Sequence, residues 1–258
     1  MEIKKIIPEI DIGLFVKNIL VFEEKNKSET TILPFYADGY PGIMFQETSG
    51  GLSVRPHNKK MPPLFLYGQT IQPIELVMEG AYSLIIFQLY PFVLKSFFGV
   101  HPKDINDNCY DLTQLQDSRI NDAIAQLTTA NELTTKLATI TTFLYSVFQS
   151  KKDMLDFKIR QSLQIIIDQR GQVNITELCT QLKISARSFE RRFLAAVGVS
   201  PKQLASIIRF DASLNQLNEG DYNLLTDIVY ANGFADQSHF IRVFKAFTGM
   251  TPKQFGKR

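Results

Sequence analysis

Two stretches of this chain set polar, hydrogen-bonding side chains on one face of a helix and phenylalanines on the other, a chemistry suited to the edges of base pairs. In the stretch that follows Asp236, Phe240, Phe244 and Phe247 recur at i, i+4 and i+7 and share one stripe. At about 100° per residue, the opposite face carries Ser238, Arg242 and Lys245, flanked by Gln237. In the stretch that follows Ser185, Arg187 and Arg191 lie opposite Phe189 and Phe193, with Glu190 beside them. Arginine donates two bonds to guanine O6 and N7, glutamine suits adenine, glutamate accepts from cytosine N4, and an aliphatic side chain meets a thymine methyl. The candidate base contacts are therefore Arg187, Glu190, Arg191, Gln237, Ser238, Ile241 and Arg242. Arg192, Lys202, His239, Lys245, Lys253, Lys257 and Arg258 are candidates for phosphate, which sets register without reading sequence. The bland alternatives are a solvated, salt-bridged face around Glu190 and a structural ion pair for Arg192, which lies toward the core edge.

Each face needs a helix-turn-helix to present it. In the later stretch, Leu225 to Phe255, Ile228 and Val229 mark a short helix, Gly233-Phe234 a turn, and Asp236 the cap of the second helix. In the earlier one, Phe157 to Asp168 forms a helix stopped by Gly171. Asn174 with Glu177 then makes a capping-box pattern. Leu178, Cys179 and Leu182 face inward, Lys183-Ile184 turns, and Ser185 caps the next helix. The two stretches are copies. Phe189/Phe193 corresponds to Phe240/Phe244, Glu177-Leu178 to Asp227-Ile228, and the run from Gly198 to Leu204 to the run from Gly249 to Phe255, with one extra residue in the second turn. A repeat of about 50 residues with matching Gly-x-[Ser/Thr]-Pro-Lys-Gln endings argues for duplication. Between the copies, Gln203 to Leu217 reads as one longer helix that would hold the two readers at a fixed separation.

This part of the chain resembles the AraC/XylS family of bacterial transcription regulators. The marks are Ser200-Pro201, Arg209, Ala212, Gly233-Phe234, Phe240, Arg242, Phe244-Lys245, Gly249 and Thr251-Pro252. Gly256 departs from the pattern, in which a basic residue follows the final aromatic position; Lys257 and Arg258 are the substitutes. The resemblance implies two helix-turn-helix units joined by a long helix, binding promoter DNA. The amino-terminal part is similar to the cupin-like sheet domain of some members through Leu33-Pro34, Asp38-Gly39, Tyr67-Gly68 and Phe98-Gly99-Val100.

The rest of the chain must position and control these readers. Its 258 residues suffice for about two domains. Residues 1–150 hold 12 Lys and Arg against 16 Asp and Glu, a net −4, whereas residues 151–258 hold 16 against 10, a net +6. The basic part is the part with the readers, as phosphate binding requires. A boundary is expected at Lys151-Lys152-Asp153. Strands are expected at Phe15 to Phe22, Thr31 to Tyr36, Gly42 to Gln46, Leu64 to Tyr67, Ile74 to Met78 and Tyr82 to Leu89, forming an antiparallel barrel or sandwich. Helices follow at Phe92 to Phe98, Arg119 to Thr129 and Glu132 to Gln149, the last two packing within the protomer or forming a dimer interface. The fold class is α+β multidomain: a sheet domain with trailing helices over 1–150, then an all-α domain over 151–258.

Enzymes find little support. The three histidines, His57, His101 and His239, form no close pair, which counts against a cupin-type metal site, and no catalytic triad, phosphate loop or cofactor motif stands out. Cys109 and Cys179 lie far apart, without disulfide or zinc spacing. No apolar run approaches the roughly 18 residues of a membrane span, and no secretory leader is read, so a cytoplasmic location is expected. The expected partners are double-stranded promoter DNA, a small-molecule effector in the sheet domain, RNA polymerase and a second copy of the chain. The aromatic residues of the sheet domain, Tyr40, Phe45 and Phe87 among them, are explained by core packing more simply than by a pocket. The competing function is a constitutive DNA-binding regulator whose sheet domain is only an interaction module.

Overall fold

A computed structural model describes residues 2–8, 11–25 and 29–256. Among the described residues, ten strands form two antiparallel sheets: β1 (Glu2–Ile6), β2 (Val16–Glu24), β3 (Thr30–Phe35), β4 (Gly42–Thr48), β5 (Leu52–Arg55), β6 (Lys59–Lys60), β7 (Leu64–Tyr67), β8 (Ile74–Glu79), β9 (Tyr82–Leu89) and β10 (Cys109–Asp111). The larger sheet runs β1-β2-β9-β4-β7-β10 and the smaller β3-β8-β5-β6. The six expected strands are present, and β1, β5, β6 and β10 are additions.

Alternation along the strands explains the layers. Met44, Phe65, Leu84 and Ile86 point into the space between the sheets, against Leu76 and Met78, while Ile43, Phe45, Ile85 and Phe87 point away from it. The larger sheet is therefore covered on both faces, which is why its central strand β9 carries the unbroken apolar run from Leu84 to Phe87. The second face is covered by α1 (Val93–Phe98), α2 (Ser118–Thr129) and α3 (Leu133–Lys151). Phe15 sits among them, stacked on Phe148 at 4.9 Å and edge-on to Phe97 at 5.4 Å. Two lysines fasten α3. Lys136 Nζ meets Glu47 Oε2 at 2.5 Å, and Lys151 Nζ donates to the Phe97 carbonyl at 2.5 Å. The apolar faces of α2 and α3 are thus used within the protomer, the first of the two expected options.

The remaining helices are α4 (Phe157–Asp168), α5 (Ile175–Gln181), α6 (Ala186–Val197), α7 (Pro201–Glu219), α8 (Leu225–Ala231), α9 (Gln237–Thr248) and α10 (Pro252–Phe255). The expected boundary falls where α3 meets a 3-10 turn, Lys152–Met154. Packing runs through this point without a break. One cluster joins Phe97, Phe98, Val100 and Ile105 to Phe189, Phe193, Val197 and Val199, and another joins Ala37 to Phe210, Phe240 and Phe244. Among the described residues, no helix is long and apolar enough to cross a membrane, and no group of three His, Cys, Asp or Glu is placed to hold a metal ion. Cys109 and Cys179 are free and buried, and burial pushes the Cys109 thiol up to about 12.

Candidate nucleic-acid interface

The duplication is visible bond by bond. In the first turn Lys183 has φ 50°, and in the second Gly233 has φ 67°. Lys183 N donates to the Thr180 carbonyl at 3.1 Å and Ile184 N to the Cys179 carbonyl at 3.1 Å; Gly233 N and Phe234 N repeat both bonds, to Tyr230 at 3.2 Å and Val229 at 3.0 Å. These contacts end α5 and α8 with the same left-handed residue, a conformation glycine adopts freely and lysine at a cost. The extra residue in the second copy is therefore Ala235, between the matched bonds and the next cap. Ser185 Oγ accepts from Ser188 N at 3.3 Å at the start of α6, and Asp236 Oδ1 accepts from His239 N at 2.7 Å at the start of α9. Beyond each reader the match continues. Ser200 Oγ caps α7 through Gln203 N at 3.1 Å, and Thr251 Oγ1 caps α10 through Gln254 N at 3.3 Å.

Packing fixes which side of each reader faces out. Phe189 and Phe193 are buried edge to face at 5.4 Å, and Phe240 and Phe244 at 5.6 Å. Helix α7 serves both units with separate stripes. Leu204 and Ile208 join the cluster of the first, and Ile207, Phe210 and Leu214 join that of the second. On a third side, the Arg209 guanidinium lies 5.8 Å from the centre of the Phe234 ring. Gln172, following α4, donates to the Ala231 carbonyl at 3.1 Å, a further tie between the units. Neither reader can rotate without disturbing its own core.

The outward faces carry the residues expected there. Arg187, Glu190 and Arg191 are exposed on α6, and Gln237, Ser238 and Arg242 on α9, with Ile241 half-buried beside them. No ion pair among the described residues joins Glu190 to either arginine. Arg192 is half-buried, and its guanidinium forms a two-pronged pair with Asp156, Nε at 2.9 Å and Nη2 at 2.6 Å from the carboxylate. This is the structural ion pair weighed for it above. Because Asp156 also caps α4 through Ile159 N at 3.3 Å, the pair ties the reader to the helix beneath it. His239 is half-buried, its ring edge-on to Phe234 at 5.7 Å. Lys202, Lys245 and Lys253 are exposed at helix ends, while Lys257 and Arg258 lie outside the described residues.

One neighbour of the readers has no signal in its local sequence. His101, Pro102, Lys103 and Asp104 of the sheet domain border the same concavity as Arg191 and Leu194 of α6. Exposed Lys103 adds a positive charge next to the first reader. The contact is held from below by two amides. Gln69 Nε2 donates to the Val197 carbonyl at 2.7 Å, and Asn106 Nδ2 to the Gly198 carbonyl at 3.0 Å. They satisfy the last carbonyls of α6, which no helical partner reaches. Only tertiary proximity across more than ninety residues brings these groups together.

Two helix-turn-helix units, matched in capping and joined by one helix that both cores share, make up the carboxy-terminal domain. Residues 178–258 match a family described as "Helix-turn-helix domain", and residues 4–111 match "Domain of unknown function (DUF6597)". An uncharacterized HTH-type transcriptional regulator of Staphylococcus aureus (strain MSSA476) is 28% identical over 110 residues, 42% of this chain and 15% of that protein. The chain thus spans well under a fifth of the length of the curated relatives it matches. Among solved structures, ToxT from Vibrio cholerae is 16% identical with a TM-score of 0.49, covering 100% of this chain and 98% of its own. The C-terminal domain of AraT, a response regulator from Geobacillus stearothermophilus, is 21% identical with a TM-score of 0.37, covering 40% of this chain and 86% of its own.

Proposed function

We propose that the chain is a sequence-specific, DNA-binding transcription regulator in which residues 151–258 read two adjacent major-groove segments and residues 1–150 control that reading. The observation carrying this is the pair of equivalent readers, α6 and α9, held on one rigid helix with polar faces outward. Both then reach the same side of a duplex at segments about one helical turn, roughly 34 Å, apart. Footprinting of the full chain on a selected binding sequence should protect two such segments. Protection confined to a single half-turn would overturn the two-headed reading.

The bonds from Gln69 and Asn106 favour a controlling sheet domain over an inert interaction module, because they attach that domain to the first reader itself. Gln69 is fully buried, so Gln69→Ala leaves the Val197 carbonyl without its donor, at about 1–3 kcal/mol of stability in urea unfolding. If the sheet domain controls reading, the same variant changes affinity for the preferred sequence while non-specific affinity stays constant. Unchanged specific affinity in a folded variant would support the constitutive alternative. An effector in residues 1–150, a second copy of the chain and RNA polymerase are the partners this role calls for.

A further inference from the structure

A concavity of about 660 Å³ lies where the sheet domain meets the connecting helix, a volume suited to a small metabolite. One wall consists of Lys17 and Asn18 of β2, Gln88 of β9, and Asp38 and Tyr40 from the loop after β3; the other includes Asp211 and Asn215 of α7. The loop is seated directly on α7. Gly39, at φ 82°, has no side chain, and a Cβ there would stand 3.0 Å from Ile208 Cδ1. Asp211 follows Ile208 by three residues on the same face of α7, which brings it to the cleft that Asp38 also lines.

Asp38 is held firmly in place. Its Oδ1 accepts from Tyr40 N at 2.9 Å and its Oδ2 from Gln88 Nε2 at 2.6 Å, and Gln88 Oε1 accepts from Asn18 Nδ2 at 2.8 Å. Burial, and then the charge of Asp211, push the Asp38 carboxyl up to about 7. Burial likewise raises Asp211 to about 6, against the opposing pull of Lys5, Asn215 and Lys17. The lysines thus offset Asp211; Lys17 Nζ lies 5.9 Å from the centre of the Tyr40 ring, and among the described residues no salt bridge joins a cation to Asp38. Arg170 after α4, Glu219 of α7 and Asp221 beyond it also border the cleft. The site has bonded donors and fixed geometry, and Asp38 has no ion-pair partner among the described residues.

We propose that this cleft binds a small hydrophilic molecule carrying a primary ammonium group, seated between Asp38 and Asp211 and bridging the sheet domain to the connecting helix. Lys5 and Lys17 provide for an anionic group on the same molecule, so free α-amino acids match both ends and diamines one. The bridge would give the proposed regulator an effector, and the role as effector rests on that reading; the binding itself does not. Ammonium binding favours ionised carboxylates, so near pH 6 it must expel protons that Asp38 otherwise holds.

Calorimetry of the full chain without DNA tests this, with a panel of free α-amino acids, 1,4-diaminobutane, and amine-free acetate and succinate. Buffers of two ionisation enthalpies would be compared at about pH 6 and about pH 8, on either side of the Asp38 value. An amino acid or the diamine should bind, releasing protons near pH 6 and essentially none near pH 8. Asp38→Asn and Asp211→Asn should each weaken it roughly tenfold to a hundredfold. Asp211→Asn should melt no lower than the parent near pH 8, because it removes a charge the fold opposes, and this separates lost binding from lost folding; Asp38→Asn, which also gives up one of the two acceptor oxygens, is compared only where its circular dichroism matches the parent's. Binding by amine-free acids alone, ammonium binding indifferent to both variants, or no binding by any ammonium compound would overturn the proposal. Footprinting is independent of all three outcomes, so failure here leaves the DNA reading standing, and the reverse.

Discussion

Alanine at Arg187 or Arg191 should weaken binding to the preferred DNA sequence by roughly 1–3 kcal/mol, about 5- to 150-fold, with the loss concentrated at particular base pairs. The expectation follows from geometry. Both side chains are exposed on the face of α6 opposite Phe189 and Phe193, and those rings are too deeply buried to let the helix turn another side to the groove. Neither arginine is held by Glu190, so neither must give up an intramolecular partner to meet guanine. Arg192 is the internal control. Its guanidinium is engaged by Asp156, so Arg192→Ala should lower the unfolding midpoint and leave the order of preferred sequences unchanged. Binding to a library of single-base variants separates the cases. Loss spread evenly over every sequence for Arg187→Ala or Arg191→Ala would assign that residue to the phosphate backbone instead.

What was legible in the sequence was what repeats or alternates. The readers, their caps at Ser185 and Asp236 and the shared helix α7 follow from phenylalanine spacing and the duplicated ending, because amphipathic helices and caps are local. The six strands expected in the sheet domain follow from apolar runs between turn residues. The four others lack that signal. β1 carries Lys4 and Lys5 within five residues, β6 is only Lys59–Lys60, and β10 is three residues long, so edge position and pairing, rather than composition, make them strands. β5 is four residues long, set between Gly50-Gly51 and Arg55-Pro56, too short to stand out as an apolar run. Nor does any local pattern join Gln69 or Asn106 to α6, or make Asp38-Gly39 more than a turn.

Removing the Phe210 ring should have the largest single effect on stability, about 3–5 kcal/mol for Phe210→Ala. The ring is fully buried on α7, 5.4 Å from Phe244 and 5.1 Å from Phe247, and the cluster around it includes Ile228, Val229 and Phe234. The side chains of its cluster are apolar, so the cavity would be dry and its lining would lose contacts outright. Against a total of about 5–15 kcal/mol for a typical fold, that is a large share. The loss is also directional. Phe210 joins α7 to α9, whereas Leu204 and Ile208 join α7 to the first unit, so the variant loosens the second reader while leaving the first seated. Urea unfolding should show a lowered midpoint, and footprinting of the still-folded protein should lose the segment protected by α9 before that protected by α6. Equal loss of both segments would mean that α7 transmits the defect along its length and that the two readers bind only as a pair.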